Sequence, residues 1–275
     1  MSLKSLSERL LVSNILKKIC EDKSKEIELT KKKCTLKTLK KLITDKIEKR
    51  DFKNAAIKSV INKNNLIIGE IKKSSPSAGQ IIKEYNPVEL AKTYESAGVE
   101  AISILTETNY FKGEIDHLSL IKQNTRIPIL RKDFIIDEYQ LYESKVYQAD
   151  IILLIVSVLS DEQLQNFLEI ARDLDLDVII ETHNKEEIER AMKLNYPIIG
   201  INNRNLKNLD TDVNNSAKLF KNISKEFTII AESGIKSSLD IEMYNELGIF
   251  NFLIGESILK SNDYSAFIKT LKSNG

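Results

Sequence analysis

Glu70, Lys72, Lys132, Glu181 and Asn202 each stand where a short apolar run gives way to polar sequence. Glu70 and Lys72 are two residues apart, a spacing that puts both on one wall of a strand. Opposite charges a few ångströms apart in a partly dry pocket shift each other's proton affinity and can act as acid and base. The same residues could instead form a structural ion-pair lattice, and the residue types alone leave both readings open. AESGI (231–235) and LIGES (253–257) add a second kind of chemistry. Each puts a glycine, Gly234 or Gly255, at a strand-to-helix turn, where backbone N–H groups can face a small anion such as phosphate.

These residues act together only if the chain brings them to one place. From residue 66 onward, β-rich runs alternate with segments of helical period: LIIGEI (66–71), AISILT (101–106), IPILRKDF (127–134), ADIILLIV (149–156), DVIIET (177–182), PIIGIN (197–202), FTIIAES (227–233) and NFLIGES (251–257). Helix starts follow them: Asn86-Pro87-Val88-Glu89 reads as a cap with proline in the first turn, and Ser160/Gln163 and Asn184/Glu187 have capping-box spacing. Eight β-then-α units predict parallel strands with right-handed crossovers. Nearly every run turns polar only at its C-terminal end, among them at Thr106, Glu107, Asp133, Glu232 and Ser233. A closed barrel gathers all eight ends at one mouth, and an open sheet does not. The expected fold is therefore α/β, a (β/α)₈ TIM barrel over residues 66–275. Residues 1–65, helical in pattern, form an extension packed on it within a single domain.

The 275-residue chain has a net charge near +1 that hides an asymmetry. Residues 1–65 hold 18 Lys/Arg against 8 Asp/Glu, and residues 66–275 hold 23 against 32. The lysine-rich KKKCTLKTLKK reads as a solvated helix face, and its scarcity of aromatics provides poorly for stacking on bases, so no nucleic-acid partner is expected. Cys20 and Cys34 match no zinc or redox spacing, and two histidines in separate units offer no metal cluster. His183 is expected to cap or decorate a helix start. GxxxxGK[ST] and GxGxxG are both absent. With charges scattered through the N-terminal segment and no long apolar stretch, a cytoplasmic protein without membrane contact is expected.

EIKKSSPSAG (70–79), ILTETNYFKG (104–113), ILRKDFIIDEYQ (129–140), ADIILLI (149–155), IIGINNRNL (198–206), AESGI and FLIGES, in this order, closely resemble the indole-3-glycerol-phosphate synthase family. The resemblance runs from about residue 12 to residue 262 and implies ring closure of 1-(2-carboxyphenylamino)-1-deoxyribulose 5-phosphate with loss of CO₂ and water. It implies Lys132 as general acid, Glu181 and Glu70 as the acidic residues, one of which accepts a proton, and Lys72 near the substrate carboxylate. Asn202, Arg204 and Ser233 would orient substrate, Phe111 and Phe134 would meet its ring, and Ser75, Gly234, Gly255 and Glu256 would lie on the phosphate side. It implies no metal and no organic cofactor, and a monomer is expected. Ala78, Glu114 and Asn205 depart from the family's usual residues, and the first two make the loops less positive, predicting weaker binding of an anionic substrate. A rival phosphate-binding barrel such as phosphoribosylanthranilate isomerase shares the glycine turns but would leave Lys132, Glu70, Lys72 and Asn202 unexplained together.

Overall fold

The computed structural model of the chain describes residues 6–43, 48–76, 79–82, 84–205, 210–221 and 223–273, with side chains from Ile15 onward. Eight parallel strands close on themselves: β1 (Leu66–Ile71), β2 (Ala101–Leu105), β3 (Ile129–Lys132), β4 (Ile151–Ile155), β5 (Asp177–Thr182), β6 (Ile198–Asn202), β7 (Thr228–Glu232) and β8 (Asn251–Ile254). Closure is made by β1 against β8, with Leu66 opposite Asn251 and Gly69 opposite Ile254. The expected barrel is the observed one.

Alternation along each strand divides two cores. Leu66, Ile68, Leu130, Ile151, Leu153, Ile179, Ile198, Ile230 and Leu253 pack inside the barrel, while Ile67, Ile102, Ile152, Ile180, Ile199 and Phe252 meet the surrounding helices. Continuing the inward parity one step beyond the apolar filling reaches Glu70, Lys132, Glu181 and Glu232, and on β6 one step past Gly200 reaches Asn202. Strand parity thus aims the chemistry into the mouth.

The strands are shorter than several of the apolar runs, for local reasons. Pro128 has no N–H to give a ladder, and after β3 the Phe134 N–H turns to the Asp133 side chain (2.9 Å). The helices begin where their caps place them. In α4 (Pro87–Ala97) the Asn86 side chain accepts from Val88 and Glu89 N–H, and in α7 (Asp161–Asp173) Ser160 and Gln163 complete a reciprocal box.

Helices α1 (Leu6–Lys33), α2 (Leu36–Leu42) and α3 (Lys53–Asn62) precede the barrel. The last of these closes its lower end: Phe52 and Ala56 join the inner core, Asp177 at the start of β5 accepts from the Phe52 and Lys53 N–H groups (3.1 and 2.8 Å), and Asp51 accepts from the Asn54 N–H (3.1 Å), so the first turn of α3 is capped from both its own sequence and the barrel. Arg50 donates to the carbonyls of Lys122, Thr125 and Ile127, and Asp150 accepts the Arg50 N–H. The charge asymmetry is answered within the molecule, because basic residues of the first segment meet acids of the barrel at Lys23–Asp133 (3.2 Å), Lys31–Asp137 (2.8 Å) and Lys49–Asp177 (2.8 Å).

Of these pairs Lys23–Asp133 is the most buried, with 3 % and 1 % of the side chains exposed, and it ties α1 to the residue after Lys132. Lys23→Met should cost about 3 kcal/mol, the lower end for breaking a buried pair, since Arg131 and Thr106 still hold Asp133. Urea unfolding measures this, and a loss below about 1 kcal/mol would show that the pair does not anchor the helix.

Candidate active site

A cavity of about 490 Å³ opens at the C-terminal ends of the strands. That volume suits a small phosphorylated molecule. Its floor is charged. Lys132 Nζ lies 3.0 Å from Glu181 Oε2 and 3.3 Å from Glu232 Oε2, and Lys72 Nζ is hydrogen-bonded to Glu70 Oε1. The Glu70 and Lys72 side chains therefore share one wall, as their spacing predicts.

Burial and charge compete at each of these groups. Burial pushes the Lys132 ammonium toward losing its proton, but the charges of Glu181, Glu232 and Glu70 outweigh it and hold the proton far above the ordinary lysine range. Burial likewise opposes the Glu181 anion, yet Lys132 on one oxygen and His183 on the other keep it well below the usual carboxylate range. Glu70 is also lowered, with burial outweighed by Lys72 and Lys132. Glu232 goes the other way. Burial raises it, Lys132 compensates only in part, and the neighbouring Glu181 charge adds to the rise, leaving it pushed up to about 8. Its Oε1 finds no hydrogen-bond partner among the described residues. That oxygen sits over Gly200, where a Cβ would fall 2.2 Å from it, so β6 needs glycine at that point to let Glu232 in.

The cavity wall is apolar on the side of β2 and β3. Leu105, Phe111 and Phe134 line it, the two rings tilted with centroids 6.4 Å apart. Glu107, buried at the end of β2, does not line the cavity. Its carboxylate accepts the N–H groups of Asn109, Tyr110 and Phe111 (3.0, 2.7 and 2.9 Å) and so shapes the turn that presents Phe111. Ile15, Leu16 and Ile19 of α1 complete this wall, and Asp22 of the same helix accepts from the Tyr110 hydroxyl (2.8 Å).

Turns after β7 and β8 supply the opposite side. Ser233 and Gly234 both have left-handed backbones (φ 65° and 84°), and Gly255 precedes the short α11 (Glu256–Lys260). Thr211, Lys236, Ser257 and Lys260 line the same region. Asn202 accepts the Arg204 N–H (2.9 Å), and Arg204 reaches Glu256 (3.4 Å), which also pairs with Lys260 (2.6 Å). Glu256 is thus an anion held by two cations, able to orient Arg204 and Lys260 but not itself to ligate a phosphate. Ser75 lines the cavity from a two-residue ladder, Ser74–Ser75 against Gly79–Gln80.

Every residue singled out in the sequence as a site candidate lines this one cavity. Two central groups were not among them. Glu232 stands beside the candidate Ser233, and its parity with Ile230 aims it inward to Lys132 (3.3 Å). His183 does more than cap a helix, since its ring lies between Glu181 and Glu187. Of the departures, Ala78 lies outside the described residues. Glu114 stands apart from the cavity lining, its side chain two-thirds exposed and 3.7 Å from His117. Asn205 donates its N–H to the Asp210 carbonyl (2.8 Å).

A family model described as indole-3-glycerol phosphate synthase matches residues 16–271. Among similar proteins, an indole-3-glycerol phosphate synthase of Caldanaerobacter subterraneus subsp. tengcongensis is 45 % identical over 262 residues, covering 94 % of this chain and 99 % of that protein. One from Legionella pneumophila strain Paris is 43 % identical, covering 96 % and 100 %. Among solved structures, the 3-hexulose-6-phosphate synthase of Salmonella typhimurium superposes with a TM-score of 0.59 at 12 % identity, over 75 % of this chain and 96 % of that one. At that identity the likeness speaks for the barrel alone.

Proposed function

The chain belongs to the indole-3-glycerol phosphate synthase family, and we propose that its barrel mouth performs that family's ring closure with Lys132 as the general acid. The observation that carries this reading is Lys132 clasped between Glu181 and Glu232 on the floor of a cavity with an apolar wall on one side and glycine turns on the other. The substrate, 1-(2-carboxyphenylamino)-1-deoxyribulose 5-phosphate, has matching parts. Its carboxyphenyl ring goes against Phe111, Phe134, Leu105 and α1, its carboxylate near Lys72, and its phosphate at the turns of Gly234 and Gly255 with Lys260 and Arg204.

Ring closure joins the ring carbon bearing the carboxylate to the ketone carbon. The ketone oxygen becomes an alkoxide unless it is protonated as the bond forms. Lys132 holds its proton tightly against solvent, but an alkoxide is basic enough to take it, and the ammonium stabilises the developing charge beforehand. The closed intermediate carries an iminium cation. Loss of CO₂ returns the breaking bond's electron pair to the ring and restores aromaticity. The hydroxyl then departs as water with one proton supplied from the lysine–carboxyl cluster, and the adjacent CH₂ loses a proton to Glu181 or Glu70, giving indole-3-glycerol phosphate. Glu232, protonated below about pH 8, refills Lys132 between the two steps. No step calls for a metal or an organic cofactor.

Glu232 donates only while protonated, so kcat should be sustained below about pH 8 and fall as pH rises through that value. Glu232→Gln should lower kcat and flatten that alkaline fall. A kcat that instead climbs through pH 8 would assign Glu232 as a base and overturn its role as proton reservoir.

We read residues 1–65 and 66–275 as one domain acting as a cytoplasmic monomer without nucleic-acid or membrane partners. The buried Lys23–Asp133 pair and the half-buried Lys49–Asp177 pair between the first segment and the barrel support a single unit. Among the described residues the large exposed apolar side chains Leu29, Leu42, Ile61, Leu120 and Leu239 are spread over five different helices. Among the described residues no helix is long and apolar enough to cross a membrane.

A further inference from the structure

Two carboxylates face Lys132, and they are not equivalent. Glu232 offers Oε2 to Lys132 and leaves Oε1 without a partner, whereas Glu181 has both oxygens engaged, Oε2 with Lys132 and Oε1 with His183 Nε2 at 3.2 Å. The latter is a charge contact, its alignment too poor for a good hydrogen bond. The other ring nitrogen, Nδ1, lies 3.1 Å from Glu187 Oε2. A neutral imidazole donates from one nitrogen only, so a ring with a carboxylate at each nitrogen fits as imidazolium.

The clamp is itself fixed. Glu187 Oε2 also accepts the His183 N–H (2.9 Å), and Glu187 Oε1 accepts from the Asn184 amide (2.6 Å) at the start of α8 (Lys185–Met192). From α9 (Asn214–Phe220) the neutral Asn215 amide donates to the His183 carbonyl (3.3 Å). Glu181 and Glu187 are the charged groups that face the ring, with Lys132 and Glu232 one contact further on. Only 9 % of the side chain is exposed, and His183 does not line the cavity, so it acts on the reaction through Glu181.

Building on the assigned ring closure, we propose that His183 is a positioning residue that holds Glu181 against Lys132 and keeps the single negative charge of the Glu181/Glu232 pair on Glu181. Without this second cation the two carboxylates compete for one lysine, and the shared proton can settle on either. The residue that should accept a proton would then be neutral part of the time, and the residue that should donate one would be empty. Burial opposes a charged His183, but the carboxylates of Glu181 and Glu187 beside its two nitrogens prevail and raise it to about 9.

The chain has two histidines, which makes the test direct. With ¹⁵N-labelled histidine, and His117→Gln to assign the signals, His183 should show both ring nitrogens protonated at pH 7 and titrate near pH 9. In Glu187→Gln, which removes one partner and keeps the ring, that titration should move down. His183→Gln should lower kcat by about 10²-fold, the scale of a misplaced reacting group, with KM little changed, and should move the acid limb of the kcat profile upward as Glu181 becomes easier to protonate. A His183 that titrates at or below its ordinary value, or a His183→Gln enzyme with the unaltered kcat and pH profile, overturns the proposal. The function itself fails in a distinguishable way, as an unaltered chain that makes no indole product while its His183 signals are as expected.

Discussion

Lys132→Ala folds and turns over about 10² to 10⁴-fold more slowly than the unaltered chain, the usual contribution of general acid catalysis. Folding survives because the substitution does not strand two anions. Glu181 keeps His183, and Glu232, already inclined to hold a proton, stays neutral. The defect falls on kcat and kcat/KM alike, since the proton moves only as the carbon–carbon bond forms and contributes nothing to ground-state binding. Circular dichroism establishes the fold, and steady-state kinetics with the carboxyphenylamino substrate the loss. Turnover within a few-fold of normal would remove Lys132 from the acid role and leave it as one member of an ion-pair lattice.

Gly234→Val produces the second large effect, and in the other kinetic parameter. The glycine backbone is left-handed at φ 84°, and an added Cβ would lie 2.7 Å from Thr211 Cγ2 and 2.9 Å from Val213 Cγ1. The turn must therefore move, and its N–H groups with it. Each charge-assisted hydrogen bond lost to the phosphate is worth about 1.5 to 3 kcal/mol, or roughly 10 to 10²-fold in affinity. The phosphate is remote from the reacting carbons, so KM rises by that factor while kcat at saturation changes little, and inorganic phosphate loses its power to compete. A fall in kcat with substrate affinity unchanged would move the phosphate elsewhere.

The barrel was legible because its signals are local and repeated. Asn86-Pro87 and Ser160/Gln163 mark helix starts in the sequence and occupy them in the structure. Polar residues confined to strand ends point to a shared mouth whatever the loops do. Lys132, Glu181, Glu70, Lys72 and Asn202 are found there for the same reason. Glu232 was also within reach: it stands two residues after Ile230, as Lys132 stands two after Leu130 and Glu181 two after Ile179, and parity separates it from Ser233.

Other features were not legible, because they depend on which segments meet. The role of His183 requires knowing that Glu187, a turn into α8, folds back to its Nδ1. Arg50 finds three carbonyls more than 70 positions away, and Ile15, Leu16 and Ile19 reach the substrate wall only because Lys23 and Asp22 fasten α1 to the loops after β3 and β2. The stretch KKKCTLKTLKK reads as a solvated helix face, yet its first lysine, Lys31, pairs with Asp137, and Lys23 and Lys49 outside that stretch are fasteners as well. Composition counts charges but not their partners.

The chain holds no tryptophan, so a newly formed indole stands out against its tyrosine emission. Purified protein treated with a chelator is mixed with 1-(2-carboxyphenylamino)-1-deoxyribulose 5-phosphate, and indole fluorescence is followed with time. Fluorescence should rise in the unaltered chain and fail to rise in Lys132→Ala. A flat trace from folded protein, or an equal rise in both, would contradict ring closure with Lys132 as its acid.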